Sequence, residues 1–309
     1  MVDKESLLWD DWTDHLNFLS NIDDSDLRMH VGYLYLIGTP IEKDYWRAQN
    51  FRLGNTRTYF EMIEEYKKLI SGLDSNFWFS EMDPNAAKFS VPYQPTPKKG
   101  GGQEYFLNSD VLRTQVDVSN LVNFGILPQV TNIIEIGAGY GQLAAAVTSM
   151  FPSIKYTIID IPQQLEVQKR WLKHIGVNTG EEVTNQVRLC SALELNSLKQ
   201  ETDLIINVNS FCEMQESDIR KYIDGSILSF NWLYSNNREM QFMNKKMQKP
   251  LSDIYQEYFE LTPKVSDYTE ASDSYIKYVF VGGAKSKINQ IPLVEVHGIG
   301  KWKNSFEVN

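Results

Sequence analysis

Residues 132–141 read Asn-Ile-Ile-Glu-Ile-Gly-Ala-Gly-Tyr-Gly, and this stretch decides the fold. Asn132 to Ile136 is short, apolar and free of breakers, as a buried strand should be. Gly137, Gly139 and Gly141 then allow a tight turn and a close backbone approach to a ligand. Gln142 to Met150 continues with a helical apolar pattern, so a helix N-terminus faces whatever the turn holds. Working outward, Tyr156 to Asp160 reads as a second strand, and Gln163 to His174 as a helix stopped by Gly176. Val187 to Cys190, Leu204 to Val208, Ile227 to Tyr234 and Tyr275 to Val281 are further strands. Asp218 to Ile223 is a short helix with Ser217 as its N-cap, and Asp110 to Phe124 a helix leading in. Continuously apolar strands alternating with helices predict an α/β, Rossmann-like parallel sheet covered on both faces.

The first hundred residues have a different texture. Leu7, Leu8, Trp12, Leu16 and Leu19 form one apolar stripe, and Thr56 to Gly72 repeats the helical pattern. Between Pro84 and Gln103, three prolines (Pro92, Pro95 and Pro97) and the triplet Gly100-Gly101-Gly102 predict a loop, either a passive linker or a mobile lid. The expected division is a helical N-terminal region over residues 1–104 and a Rossmann-like domain over 105–309.

Bulk properties narrow the partners. The 309-residue chain carries a net charge of -10, which disfavours a nucleic-acid backbone as ligand. Cys190 and Cys212 sit in apolar stretches without metal spacing and read as small buried hydrophobes of a reducing compartment. The acidic start is unlike a signal peptide, and no apolar run approaches about 18 residues. A cytoplasmic protein with a small-molecule substrate and no membrane partner is expected, with self-association left open.

The sharper chemistry lies after the glycine turn. Asp160 closes the second strand 19 residues beyond Gly141, where an acid can accept from both ribose hydroxyls of a nucleoside. A nicotinamide cofactor would use the same geometry. Its fingerprint wants G-x-G-x-x-G, whereas here the third glycine comes one residue early, Gln142 takes its place, and Glu135 precedes the turn.

The E-x-G-x-G-x-G form resembles motif I of class I methyltransferases. That resemblance implies S-adenosylmethionine bound on a seven-stranded sheet, with Gly137, Gly139 and Gly141 near its methionine part and Asp160 on its ribose. Glu135, Ile161 and Asn207 join the implied cofactor set. Three later blocks, Asp160 to Pro162, Asp203 to Met214 and Leu233 to Arg238, resemble a family of sugar O-methyltransferases found among polysaccharide and glycoside biosynthesis genes. A glycosyl hydroxyl, on a sugar or nucleotide sugar, is the acceptor this implies. A methyltransferase for a non-sugar small molecule shares the same cofactor site, and an NAD-dependent oxidoreductase is the alternative of another class.

Methyl transfer to oxygen needs an aligned acceptor and a group to take its proton. Glu213, just after the fourth strand, is the first candidate, with Asn209 and Ser210 to orient the substrate. An acid there also suits the start of the next helix. Tyr234 could stack on a sugar ring, and Asn236, Asn237 and Arg238, expected just beyond the fifth strand, could hold its hydroxyls. His297 is the alternative base, while His174, at a helix end, reads as structural. No carboxylate–histidine spacing suggests a metal.

Overall fold

The computed structural model describes residues 16–32, 75–88, 90–94, 104–182, 186–198, 202–224, 228, 230–238, 249, 251–258, 264–265 and 277–283. The expected helix over Thr56 to Gly72, the Gly100–Gly102 triplet and His297 lie outside them.

The chain builds β1 (Val91–Tyr93), β2 (Tyr105–Leu107), α1 (Ser109–Asn123), β3 (Asn132–Ile136), α2 (Gln142–Met150), β4 (Lys155–Asp160), α3 (Pro162–His174), β5 (Thr179–Gly180) and β6 (Val187–Ser191). It continues with β7 (Leu204–Val208), α4 (Glu216–Ile223), β8 (Trp232–Arg238), α5 (Leu251–Gln256), β9 (Lys264–Val265) and β10 (Lys277–Gly283). One sheet has the order β5-β6-β4-β3-β7-β8-β10-β9. Its members run parallel except β10, which is antiparallel to both neighbours. Seven strands form the Rossmann-like sheet that the sequence predicts, and the two-residue β5 extends one edge.

Local chemistry explains the elements. The Asn108 side chain caps α1 by accepting from the Val111 N–H at 3.0 Å. Gly141, in the left-handed region at φ 96°, stands at the N-cap of α2. Pro162 opens α3 in its first turn and Gly176, at φ 83°, follows its end.

Alternation along the strands divides the core into two layers. Ile133, Tyr156, Ile158, Leu204, Ile206 and Tyr234 point to the face covered by α1, α2 and α3. Ile134, Ile136, Ile159, Ile205 and Leu233 point to the face covered by α4 and α5. The described N-terminal residues Leu16, Leu19, Leu27, Val31, Trp78 and Phe79 belong to the first layer. Charge holds them there. Buried Arg28 pairs with Glu81 at 2.8 Å and Asp110 at 3.1 Å, and its guanidinium lies 4.6 Å from the Tyr140 ring centre. Arg170 of α3 donates to the Leu19 and Ile22 carbonyls.

Three local expectations are corrected. The stretch after Pro84 is not all loop: Pro84–Ala87 forms one helical turn capped by Asp83, and β1 pairs with β2 despite Pro92. α4 starts at Glu216 with Gln215, not Ser217, at its N-cap. The fifth strand is Trp232–Arg238 rather than Ile227 to Tyr234, because pairing with β7 aligns Leu204 with Trp232 and Val208 with Asn236. Asn236, Asn237 and Arg238 therefore lie within the strand, not beyond it.

Candidate active site

β3 leads on through α2 to β4 on one side, while β7 joins β3 on its other side. The carboxyl ends of β3 and β7 thus flank the switch point where such sheets open a crevice. Gly137 to Gly141 and residues 209–213 meet there.

The three glycines serve different purposes. A Cβ on Gly137 would lie 2.0 Å from Ser210 Oγ, so this glycine admits the loop after β7. A Cβ on Gly141 would touch Leu172 of α3 at 3.3 Å. Around Gly139, at φ 58°, no atom lies within 4 Å of the Cβ position. That open backbone suits close approach by a ligand, and the turn fits a nucleoside cofactor in this respect.

Asp160 ends β4 beside this turn. Its carboxylate accepts from the Ile161 N–H at 2.8 Å, the Gln168 amide at 2.7 Å and the Ala138 N–H. Burial pushes its pKa up to about 7 against those three donors. An ionised carboxylate has about four acceptor positions. With three in use, about one is left to accept from a ligand hydroxyl. Ile161 contributes its N–H to Asp160 and stands extended before α3.

Glu135 is not at the surface of the crevice. It is 2% exposed, faces α1 and accepts from Tyr156 Oη at 2.9 Å. Burial, helped by the charges of Asp117 and Asp160, pushes its pKa up to about 8, although the Tyr156 bond opposes the shift.

Asn207 also departs from the expected cofactor set. It is fully buried, and its amide donates to the Ile136 carbonyl at 2.7 Å while its oxygen accepts from the Phe211 N–H at 2.8 Å. The side chain pins β7 to β3 and starts the following turn.

The expected acceptor residues divide. Asn209, at φ 57°, turns the chain out of β7, a conformation asparagine tolerates better than most residues. Ser210 follows against Gly137, and Glu213, partly exposed, ends the short 3-10 turn Phe211–Glu213. Glu213 precedes the N-cap of α4, whose first-turn acids are Glu216 and Asp218, so it is not the acid of that helix.

Tyr234 and Asn236 are fully buried instead. Both donate to Asp117 Oδ1 of α1 at 2.6 Å, and Asn120 donates to Tyr234 Oη at 3.1 Å. Asn237 faces the other layer, donating to Asn207 Oδ1 at 2.9 Å and Ser235 Oγ at 2.7 Å. Buried in this way, these three side chains present neither a ring face nor an amide to a sugar. Arg238 ends β8.

Sequence reasoning missed Asp117, Tyr156 and Gln168. Only Gln168 left a local trace, since Gln164 and Gln168 share one face of the helix that follows Asp160. His174 lies 3.2 Å from Asp83, and both cysteines are buried. Among the described residues, no group of His, Cys, Asp or Glu could hold a metal ion, and no helix is long and apolar enough to cross a membrane.

Residues 104–186 match the family model described as an O-methyltransferase domain. Over 50 residues the chain is 36% identical to Acetylserotonin O-methyltransferase 2 of Oryza sativa subsp. japonica, covering 16% of this chain and 14% of that protein. It therefore spans 14% of the length of the curated relatives it matches. Among solved structures, it is similar to N-methyltransferase NodS from Bradyrhizobium japonicum WM9, crystallised with S-adenosyl-l-homocysteine. The identity is 15%, with 58% of this chain and 93% of that chain covered at a TM-score of 0.41. An O-methyltransferase family protein from Burkholderia thailandensis is 11% identical over 55% of this chain and 60% of that one, at a TM-score of 0.39. The matched residues include the glycine turn and Asp160, and the match supports S-adenosylmethionine as the cofactor.

Proposed function

We propose that the chain is an S-adenosylmethionine-dependent O-methyltransferase acting on a hydroxyl of a non-sugar small molecule. One observation carries the proposal: the turn of the matched O-methyltransferase domain touches the loop after β7, through Gly137 and Ser210, at the open end of the sheet. The cofactor supplies, when bound, a methyl group activated by its sulfonium. The chain does the rest. Open backbone at Gly139 and the remaining acceptor position of Asp160 hold the nucleoside. Asn209 and Ser210 bound the acceptor side, and Glu213 is the group proposed to take the hydroxyl proton.

The choice of a non-sugar acceptor rests on two points. Tyr234, Asn236 and Asn237, three of the side chains expected to hold a sugar, are buried and donate hydrogen bonds within the protein. The curated relative named above is an acetylserotonin O-methyltransferase.

Calorimetric titration with S-adenosylmethionine and NAD, followed by methyl transfer to acetylserotonin, simple phenols and nucleotide sugars, tests this. Binding of the methyl donor and transfer to a non-sugar hydroxyl are expected. Affinity for NAD alone overturns the reaction, and transfer confined to nucleotide sugars restores the sugar acceptor. Glu213→Gln should keep cofactor affinity and lower turnover by about two to four orders of magnitude. Normal turnover would remove Glu213 as the base.

A further inference from the structure

Gln168 occupies an unusual position. It lies on α3, fully buried, and its single amide nitrogen donates both to Asp160 Oδ2 at 2.7 Å and to the Gly139 carbonyl at 2.8 Å. One side chain thus spans the acid that ends β4 and the most open glycine of the turn. Gln164, one helical turn earlier, donates to the same Gly139 carbonyl. Gln168 Oε1 is buried without a hydrogen-bond partner. Leaving an acceptor unsatisfied is costly, but flipping the amide would set that oxygen against a carboxylate and a carbonyl at once. The two contacts therefore dictate the orientation.

We propose that Gln168 is a positioning residue of the cofactor site, setting nucleoside affinity by tying Asp160 to the glycine turn. The inference rests on the methyltransferase reading. Two effects follow from the geometry. The amide leaves the carboxylate one preferred direction for its remaining acceptor position, and it ties the turn to the end of β4. It also favours the charged form of Asp160. The other titratable groups facing Asp160 are Glu135 of β3 and Tyr222 of α4, and neither is a cation. Gln168 is thus the side chain that opposes the effect of burial there, alongside two backbone N–H groups.

The test is calorimetry of S-adenosylhomocysteine binding from pH 5.5 to 9 on the full chain and two variants, with melting temperatures recorded in parallel. Wild-type affinity should rise as pH increases through about 7, where Asp160 ionises. Gln168→Leu should bind about 10- to 100-fold more weakly near neutrality, the loss expected for a hydrogen bond to a charged group. Its acid limb should also move to higher pH, which a merely structural role would not cause. Gln168→Glu should reverse the slope. The introduced carboxyl group can donate to Asp160 while it is protonated but repels it once ionised, so affinity falls with rising pH.

A folded Gln168→Leu protein with wild-type affinity and an unmoved acid limb overturns the proposal. If Gln168→Leu does not fold, a Gln168→Glu profile parallel to wild type overturns it instead. Failure of the wild type to bind S-adenosylhomocysteine at any pH overturns the methyltransferase reading, and the role of Gln168 with it.

Discussion

The two halves of the sheet treat polar residues in opposite ways. Around β3 and β4, two of the residues read as functional stand at the crevice: a glycine with open space beside it, and an acid with about one acceptor position in reserve. Around β7 and β8, four equally suggestive residues (Asn207, Tyr234, Asn236 and Asn237) are fully or almost fully buried and bonded to one another or to Asp117. The first half exposes backbone and keeps its side chains back. The second spends its side chains on aligning strands and shaping the loop that carries Ser210 and Glu213. Asn-rich strand ends therefore need not be substrate sites; buried amides satisfy the backbone where a parallel strand gives way to a turn.

The largest expected effect comes where the halves touch. Gly137→Ala would place a Cβ 2.0 Å from Ser210 Oγ and hold a side chain at φ 70°. Cofactor affinity should fall more than about 100-fold, or folding should fail, since the left-handed region alone costs about 1–2 kcal/mol. Adding Ser210→Gly removes the clash but not the strain, so melting temperature should recover in part. If the double variant is no better than the single one, the contact between the halves is not what requires glycine.

Glu135 sharpens the comparison within the first half, because it sits in a functional motif yet is buried like the second half. Its pKa is raised to about 8 in the fold, mainly by burial, with Asp117 of α1 and Asp160 of β4 adding to the shift and Tyr156 opposing it. The folded state then holds one more proton than the unfolded state between roughly pH 4.5 and 8. That contribution to stability is complete below the unfolded value and disappears as pH rises through the folded one. The slope is about 1.4 kcal/mol per pH unit inside the window. Glu135→Gln should therefore flatten the decline in melting temperature from pH 6 to 8.5 without weakening cofactor binding. A decline as steep as in wild type, or a large loss of affinity, would return Glu135 to the binding set.

Tyr234→Phe gives the smallest effect and the most direct test of the second half. Removing the hydroxyl deletes the donor to Asp117, a loss of about 1–2 kcal/mol in stability, while Asn236 still bonds that carboxylate. KM for the acceptor should not change. A raised KM with unchanged melting temperature would mean that Tyr234 meets the substrate after all.

Much of the fold was legible locally. β3, α2 and β7 have the bounds that hydrophobic periodicity predicts, and β4, β6 and α3 differ by one residue at an end. Apolar runs, a proline at a helix start and glycines at turns act over a few residues, so a linear reading captures them. β8 was misplaced because its bounds follow from pairing with β7, not from its own pattern.

By itself, then, the sequence determined the α/β sheet, the turn of Gly137 to Gly141 and the placing of Asp160 at a strand end. The tertiary structure decided which polar side chains face the crevice. Tyr234 and Asn236 find their partner on α1, 117 and 119 residues earlier in the chain. Glu135 turns inward because strand alternation aims it at Tyr156. A buried polar group must find a bonding partner, and when that partner is remote in sequence, no local pattern records it.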